Sequence, residues 1–370
     1  MKKNVLKRTL ALLLVAMMTL SLAACGAKEE APASGGSDAP AQSTEKTDDK
    51  VYTLKLSGTV TDDHLVTKTE KYFIERVEEL SGGRLKIEHY PNNQLGDPRS
   101  MLEATTMGNN DIVECGLPQY ANFTNLLKFF NLPFLWDNRD AAYAFLATET
   151  GAELRKQVED EVGVHILGFI DDGYFNFTCN GERTSPEDVK GFKIRCQESD
   201  VLLQIWTDLG ASPLPMSFSE VYTALQQGAI DGQMNGYISN YNSGYYEVQD
   251  YIVKVGLLFD VCPLAISVDS YNALPEDLQA VLDQAGEEMQ QWSMEAAREE
   301  NQRCADSWVE KGGEILDLTA PEDQQPWIDA TQATYDWFRD SFPEIDLDAL
   351  LEAVEELNAQ YASATADEVI

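Results

Sequence analysis

The chain has 370 residues, of which 44% are hydrophobic, 9% aromatic and 24% charged, values that suit a soluble globular protein of two ordinary domains. Its 63 acidic residues against 27 basic ones give a formal charge of -36. A surface this acidic repels nucleic acid, whose affinity for protein comes mainly from Lys and Arg on phosphates, so nucleic-acid binding is excluded.

Residues 1–24 read as a signal peptide. Lys2, Lys3, Lys7 and Arg8 form a positive start, and Leu10 to Leu22 is an apolar run. That run is too short to cross a bilayer, which takes roughly 20 residues. It ends in Leu22-Ala23-Ala24-Cys25, which resembles a bacterial lipobox and implies cleavage before Cys25 and lipidation of its thiol. Residues 25–50 are rich in Ala, Ser, Gly and Asp and lack aromatic residues, Leu and Ile. Such a segment cannot bury enough surface to offset ordering, so it reads as a flexible tether. No later stretch is apolar enough to span a membrane, which excludes a channel. The expected place is therefore outside the cytoplasmic membrane, held there by lipid.

Beyond Cys25 the cysteines are Cys115, Cys179, Cys196, Cys262 and Cys304, an odd number with no CxxC pair. They are expected to be buried free thiols rather than a disulfide framework. His64, His89 and His165 lie far apart, and zinc needs clustered ligands, so no metal site is expected. Nothing in the sequence calls for a cofactor, and a GxxxxGK[ST] phosphate loop is absent.

Along the chain, Val51–Ser57 alternates as a strand, and 68–80 carries Phe73, Val77 and Leu80 at helical spacing. Gly82 and Gly83 stop that helix, and 85–90 alternates as a second strand. A βαβ unit with parallel strands follows from this order. Helix over 99–107, strand over 111–115, helix over 141–162 and strand over 164–170 continue the alternation. Ser185 and Pro186 cap a short helix closed by Gly191, and 192–196 is a strand. Ser217 with Glu220 predicts a capping box for a helix that ends at Gly228. Residues 278–309 predict one long helix. The alternation indicates an α/β protein without an internal repeat.

Five strings occur in order through the chain. They are Ser81-Gly82-Gly83-Arg84 running on to Tyr90-Pro91-Asn92-Asn93-Gln94-Leu95-Gly96; Leu132-Pro133-Phe134; Lys190-Gly191-Phe192-Lys193-Ile194-Arg195; Pro215-Met216-Ser217-Phe218-Ser219-Glu220-Val221-Tyr222 through Gly228; and Asp231-Gly232-Gln233-Met234-Asn235. Together they resemble the solute-binding subunits of tripartite ATP-independent periplasmic (TRAP) transporters, of the C4-dicarboxylate-binding type. The resemblance covers about 52–345. It implies a periplasmic-binding-protein-like α/β fold with two discontinuous lobes, an interlobe cleft and a long helix spanning both lobes. Lobe I would comprise 51–172 with 261–300, lobe II 173–260 with 301–355, and 356–370 would be a tail. It also implies partners: a small organic acid and the membrane permease subunits of a TRAP transporter.

Arg195 is the leading candidate for the ligand. It ends a predicted strand, where α/β folds open their clefts, and a guanidinium can grip a carboxylate with two parallel hydrogen bonds. The resemblance assigns the same role to this position. Asn235 follows what reads as a turn over Asp231-Gly232-Gln233 and can donate and accept at once, against a plainer reading as an ordinary turn asparagine, and the family uses an aromatic at Phe218 to wall the cleft. Two departures stand out. Met234 occupies a position that is often Glu in relatives, and Phe175 replaces an arginine that many relatives carry. An aromatic cannot neutralise a second carboxylate, so Phe175 points to a ligand with one carboxylate or a bulkier apolar part, although sugar acids and dicarboxylates both remain in the expected class. Gln119, Tyr120 and His64 are expected to line the cleft from the first lobe. A sensory receptor for the same ligand is one alternative. A surface carbohydrate hydrolase is another; it needs paired carboxylates, for which Asp171-Asp172 is the most suggestive pair, against a plainer reading as a solvated loop. An ABC-type solute receptor fits the strings poorly.

Overall fold

A computed structural model describes residues 50–362. The signal peptide, Cys25, the tether up to residue 49 and the last eight residues of the expected tail lie outside the described residues.

The chain opens with β1 (Tyr52–Ser57), α1 (Leu65–Leu80) and β2 (Leu85–Tyr90), a βαβ unit whose strands pair in parallel with Tyr52 opposite Leu85. α1 begins at Leu65 rather than Lys68 because His64 caps it, Nδ1 accepting from the Val66 N–H. Next come α2 (Pro98–Thr106), β3 (Ile112–Glu114), the single turn α3 (Leu117–Tyr120), α4 (Arg139–Leu146) and α5 (Glu149–Val162). The one helix expected over 141–162 is therefore two. Thr148 divides them, its hydroxyl capping α5 by accepting from the Gly151 N–H.

β4 (Val164–Cys179) runs well past Ile170, where the sequence reading ended it. Its continuation is explained by β8 (Tyr251–Ser267), which pairs antiparallel along its whole length. Between them lie β5 (Lys193–Cys196), α6 (Asp200–Asp208), β6 (Ser212–Pro215), α7 (Val221–Gln226), β7 (Gly232–Asn235) and α8 (Tyr237–Asn242). The capping box at Ser217 does not form. A separate 3₁₀ turn over Phe218–Glu220 intervenes, and the Ser217 hydroxyl meets Ser219 instead. The box at Ser185 does form, with Asp188. After β8 come α9 (Val268–Asn272), the long helix α10 (Glu276–Glu310), β9 (Glu314–Asp317), α11 (Pro321–Ser341) and α12 (Leu347–Tyr361). The expected tail is thus helical as far as Tyr361, and Asn358 ties α12 to the chain before α4 by donating to the Leu135 carbonyl at 3.0 Å.

All strands among the described residues join one sheet in the order β2-β1-β3-β8-β4-β7-β5-β6, with β9 beside β8. Two predominantly parallel wings, β2-β1-β3 and β7-β5-β6, are therefore joined only through the long antiparallel pair β4 and β8. Midway along that pair the register shifts between Asp171 and Gly173, which face Val261 and Asp260. Asp172 is the extra residue of this bulge, a device that re-aims one side chain and bends the strand. Gly173 sits there at φ 79°, a conformation open to glycine at little cost.

α10 packs on α1, β4 and α8, so it lies along both wings. It approaches β4 closely. A Cβ on Gly286 would stand 2.2 Å from the Leu167 carbonyl oxygen, and one on Gly168 would stand 2.7 Å from the Gly286 oxygen. The helix also takes up strand donors at and before the bulge: Asp171 N–H donates to Ser293 Oγ at 2.9 Å and Phe169 N–H to Gln290 Oε1 at 3.1 Å. These bonds give strand N–H groups side-chain acceptors on the helix. On the β5–β7 wing, Phe177 packs edge-on to Trp206 at 5.4 Å and against Trp327 at 5.6 Å. Each such buried aromatic contributes about 2–3 kcal/mol over exposure. Cys115, Cys179, Cys196, Cys262 and Cys304 are all free and buried.

Candidate functional site

The ends of β5 and β7, the turn before α7, the loop after β1 and the β4–β8 bulge enclose a cavity of about 580 Å³. Arg195, Asn235, Phe218, Gln119 and His64 all line it.

Arg195 lies on β5 between β6 and β7 and is only 2% exposed. Its Nε donates to the Met216 carbonyl at 2.9 Å, which fixes the plane of the guanidinium, and the Phe218 ring lies 5.9 Å from its centre. Nη1 is buried without a hydrogen-bond partner, and no carboxylate pairs with this arginine among the described residues. Burial pulls its pKa below the ordinary arginine value, countered in part by Tyr245. A desolvated cation with an unused donor is suited to an anion that brings its own lone pairs.

Asn235 closes β7, and the turn expected over Asp231-Gly232-Gln233 is already strand from Gly232. Its amide belongs to a buried chain. Asn235 Nδ2 donates to Gln233 Oε1 at 2.7 Å, and Gln233 Nε2 donates to Asn240 Oδ1 at 2.7 Å. This network orients Asn235 at the cavity edge. His64 is committed on both nitrogens, Nδ1 to the α1 cap and Nε2 to Ser239 Oγ at 3.1 Å. Burial lowers its pKa to about 4, so it is neutral and donates from Nε2. It thereby links the start of α1 to α8.

Two candidates face elsewhere. Tyr120 is buried in the core, because successive residues of a one-turn helix point in different directions and Gln119 takes the cavity side. Phe175 is also a core residue, fully buried among apolar side chains and absent from the cavity wall. The strand period sends it inward, and the nearest β4 side chain in the cavity is Asp172.

Three cavity residues were not singled out as ligand contacts: Glu114, Asp172 and Asp260. Glu114 ends β3, and Thr59 holds its Oε2 with both N–H (2.9 Å) and hydroxyl (2.7 Å). Burial, reinforced by Asp260 and Glu114, pushes Asp172 well above the usual carboxylate range. Burial also raises Asp260 to about 7, which the smaller pull of the Val261 N–H and Asn131 only partly offsets. Glu114 moves up for the same reason, with Glu70 adding to it. The pair Asp171-Asp172 is not a solvated loop: Asp171 is buried 3.4 Å from Arg139, and Asp172 turns into the cavity. The signal available in the sequence was a lone carboxylate inside an apolar run, as in Leu257-Leu258-Phe259-Asp260-Val261.

Residues 56–341 match the family model described as "Bacterial extracellular solute-binding protein, family 7". The chain belongs to that family. Among curated relatives, the C4-dicarboxylate-binding periplasmic protein DctP of Vibrio cholerae is 30% identical over 285 residues, covering 74% of this chain and 84% of its own length. Among solved structures, a TRAP periplasmic solute-binding protein of Shewanella oneidensis with bound succinate superposes with a TM-score of 0.78 at 29% identity, covering 84% of this chain and 99% of that one. The sugar acid binding protein of Advenella mimigardefordensis in complex with galactonate superposes at 0.80 and 24% identity, covering 84% and 100%. This family 7 protein is thus an extracytoplasmic solute-binding subunit of the TRAP type, with the two-lobed α/β fold expected from its sequence. No helix among its described residues is long and apolar enough to cross a membrane.

Proposed function

We propose that this subunit captures a small organic acid by its carboxylate on Arg195 and delivers it to the membrane permease of its transporter by closing two lobes around it. The observation that carries the reading is the unpaired, buried Nη1 of Arg195 on the wall of the cavity. The succinate and galactonate bound by its solved relatives support an acid as ligand. The proposed lobes are 51–172 with 261–300 and 173–260 with 301–355, hinged where β4 and β8 shift register. A ligand that touches both wings favours closure by its differential affinity for the closed state. Asn235 and Phe218 orient the ligand beside Arg195, Gln119 contacts it from the opposite wing, and His64 bridges the wings through Ser239. Phe175 and Tyr120 act behind the wall as packing. The chain is a carrier rather than an enzyme, and Cys25 is its lipid anchor.

A thermal-shift screen of organic acids, sugar acids and amino-acid derivatives tests the reading. An acid that binds only the folded state raises the melting temperature by mass action, and its methyl ester does not. Hydrolysis of a sugar substrate by the purified protein, or the same shift with the ester, would refute it.

A further inference from the structure

The cavity has two chemically opposite walls. On the β5–β7 wing stands Arg195 with a free donor; across from it, where β3, β8 and β4 meet, stand Glu114, Asp172 and Asp260. Asp260 is 1% exposed, and neither of its oxygens has a hydrogen bond of ordinary geometry. Glu114, also 1% exposed, has its Oε2 filled by Thr59 while Oε1 is unfilled. A buried acceptor without a donor is destabilising unless something fills it. In all, seven carboxyl groups line the cavity against two guanidinium groups, and one of those, Arg99, already faces Glu103 at 3.4 Å. His64 adds no charge near neutral pH.

We infer that the ligand is zwitterionic: an organic acid that also carries a protonated nitrogen, its carboxylate on Arg195 and its nitrogen among Glu114, Asp172 and Asp260. This deepens the organic-acid reading and rests on it. A simple anion satisfies Arg195 but adds charge to a cavity that is already negative. A hydroxyl brings one proton and no charge to three converging carboxyl groups. An ammonium brings three donors and a compensating charge, which offsets the burial that keeps those carboxyls from ionising. A resident metal ion is a poorer occupant, since no cluster of such side chains among the described residues has metal-holding geometry. The two charges also fall on different wings, so a zwitterion draws both together. The bulge at Asp172 has a role in this account: the register shift there accompanies a side chain turned into the cavity.

Matched acids of three to six carbons, bearing a terminal amino, hydroxyl or carboxyl group, together with sugar acids and their amino-sugar counterparts, provide the test by calorimetry. The expected result is at least about tenfold tighter binding of an amino member than of its hydroxyl or dicarboxylate partner, the scale of one charge-assisted hydrogen bond. That preference should fall below about twofold in Asp260→Asn combined with Glu114→Gln, whose folding is checked by circular dichroism. A hydroxyl or dicarboxylate acid that binds as tightly as its amino partner, or a preference unchanged in the double variant, overturns the inference and leaves the organic-acid reading standing. If no acid in the set binds, both fall together. Should the double variant not fold, Asp172→Asn read the same way decides the matter.

Discussion

Replacing Arg195 with alanine should weaken binding of an organic acid by about 2–5 kcal/mol, or roughly 30- to 5,000-fold in Kd. The range follows from the geometry. The guanidinium is 2% exposed, so a bound carboxylate has little water to replace the lost donors. Its Nε is already used by the Met216 carbonyl and stays there, while Nη1 is free for the ligand. The loss is therefore one or two charge-assisted bonds plus the penalty of an acid left unpaired. Arg195→Lys should recover part of the loss, because a single ammonium cannot hold Met216 and grip a carboxylate in two places. Isothermal titration with the acid that gives the largest thermal shift measures both variants, with circular dichroism as the control for folding. Unchanged affinity in a folded Arg195→Ala would refute the reasoning.

Asp260 predicts a pH dependence. Its carboxyl is raised to about 7 in the fold against an ordinary value of 3.8, so the native state holds a proton that the unfolded chain gives up. Stability of the ligand-free protein should then fall as pH rises from about 4 to about 7, by an amount of order 1–4 kcal/mol. Asp260→Asn should melt higher than the parent at pH 8 and about equally at pH 4; equal melting at pH 8 would contradict this. Gly286→Ala should destabilise by about 2–4 kcal/mol in urea, since its Cβ would meet the Leu167 oxygen at 2.2 Å, and a loss under about 0.5 kcal/mol would show that α10 can shift. His64→Ala removes a helix cap and the link to Ser239, and should cost about 1 kcal/mol in chemical denaturation while speeding ligand release. Ser239→Ala should speed release with less loss of stability; release unchanged in both would remove the bridging role. Cys25→Ala should leave the protein without a lipid-derived mass increment, and a membrane-bound, lipid-modified variant would show that another residue is the anchor.

Much of the fold was legible because local signals agreed with the final structure. The βαβ unit of β1, α1 and β2 has clean periodicity and glycine stops, and the long helix carries no proline between Glu276 and Glu310. The central strand pair was not legible in the same way. β8 is buried on both faces, so it lacks the alternation that marks a half-exposed strand. β4 looked finished at Ile170 because Asp171, Asp172 and Gly173 resemble a turn; only the facing strand shows them to be a bulge. The site divides along the same line. Arg195 and Asn235 sit in motif strings and at strand ends, which sequence patterns reveal. Tyr120 lies one residue from cavity-facing Gln119 and Phe175 three from Asp172, and which way each points depends on local helical turn and strand register. Glu114 and Asp260 come from strands far apart in sequence, so their convergence is a property of the sheet order alone.

A crystal structure with the tightest-binding acid tests the central claim most directly. The account predicts the ligand carboxylate within hydrogen-bonding distance of Arg195 Nη1, with its protonated nitrogen against Asp260. A ligand whose carboxylate sits away from Arg195, or one lodged outside the cavity between the wings, would contradict it.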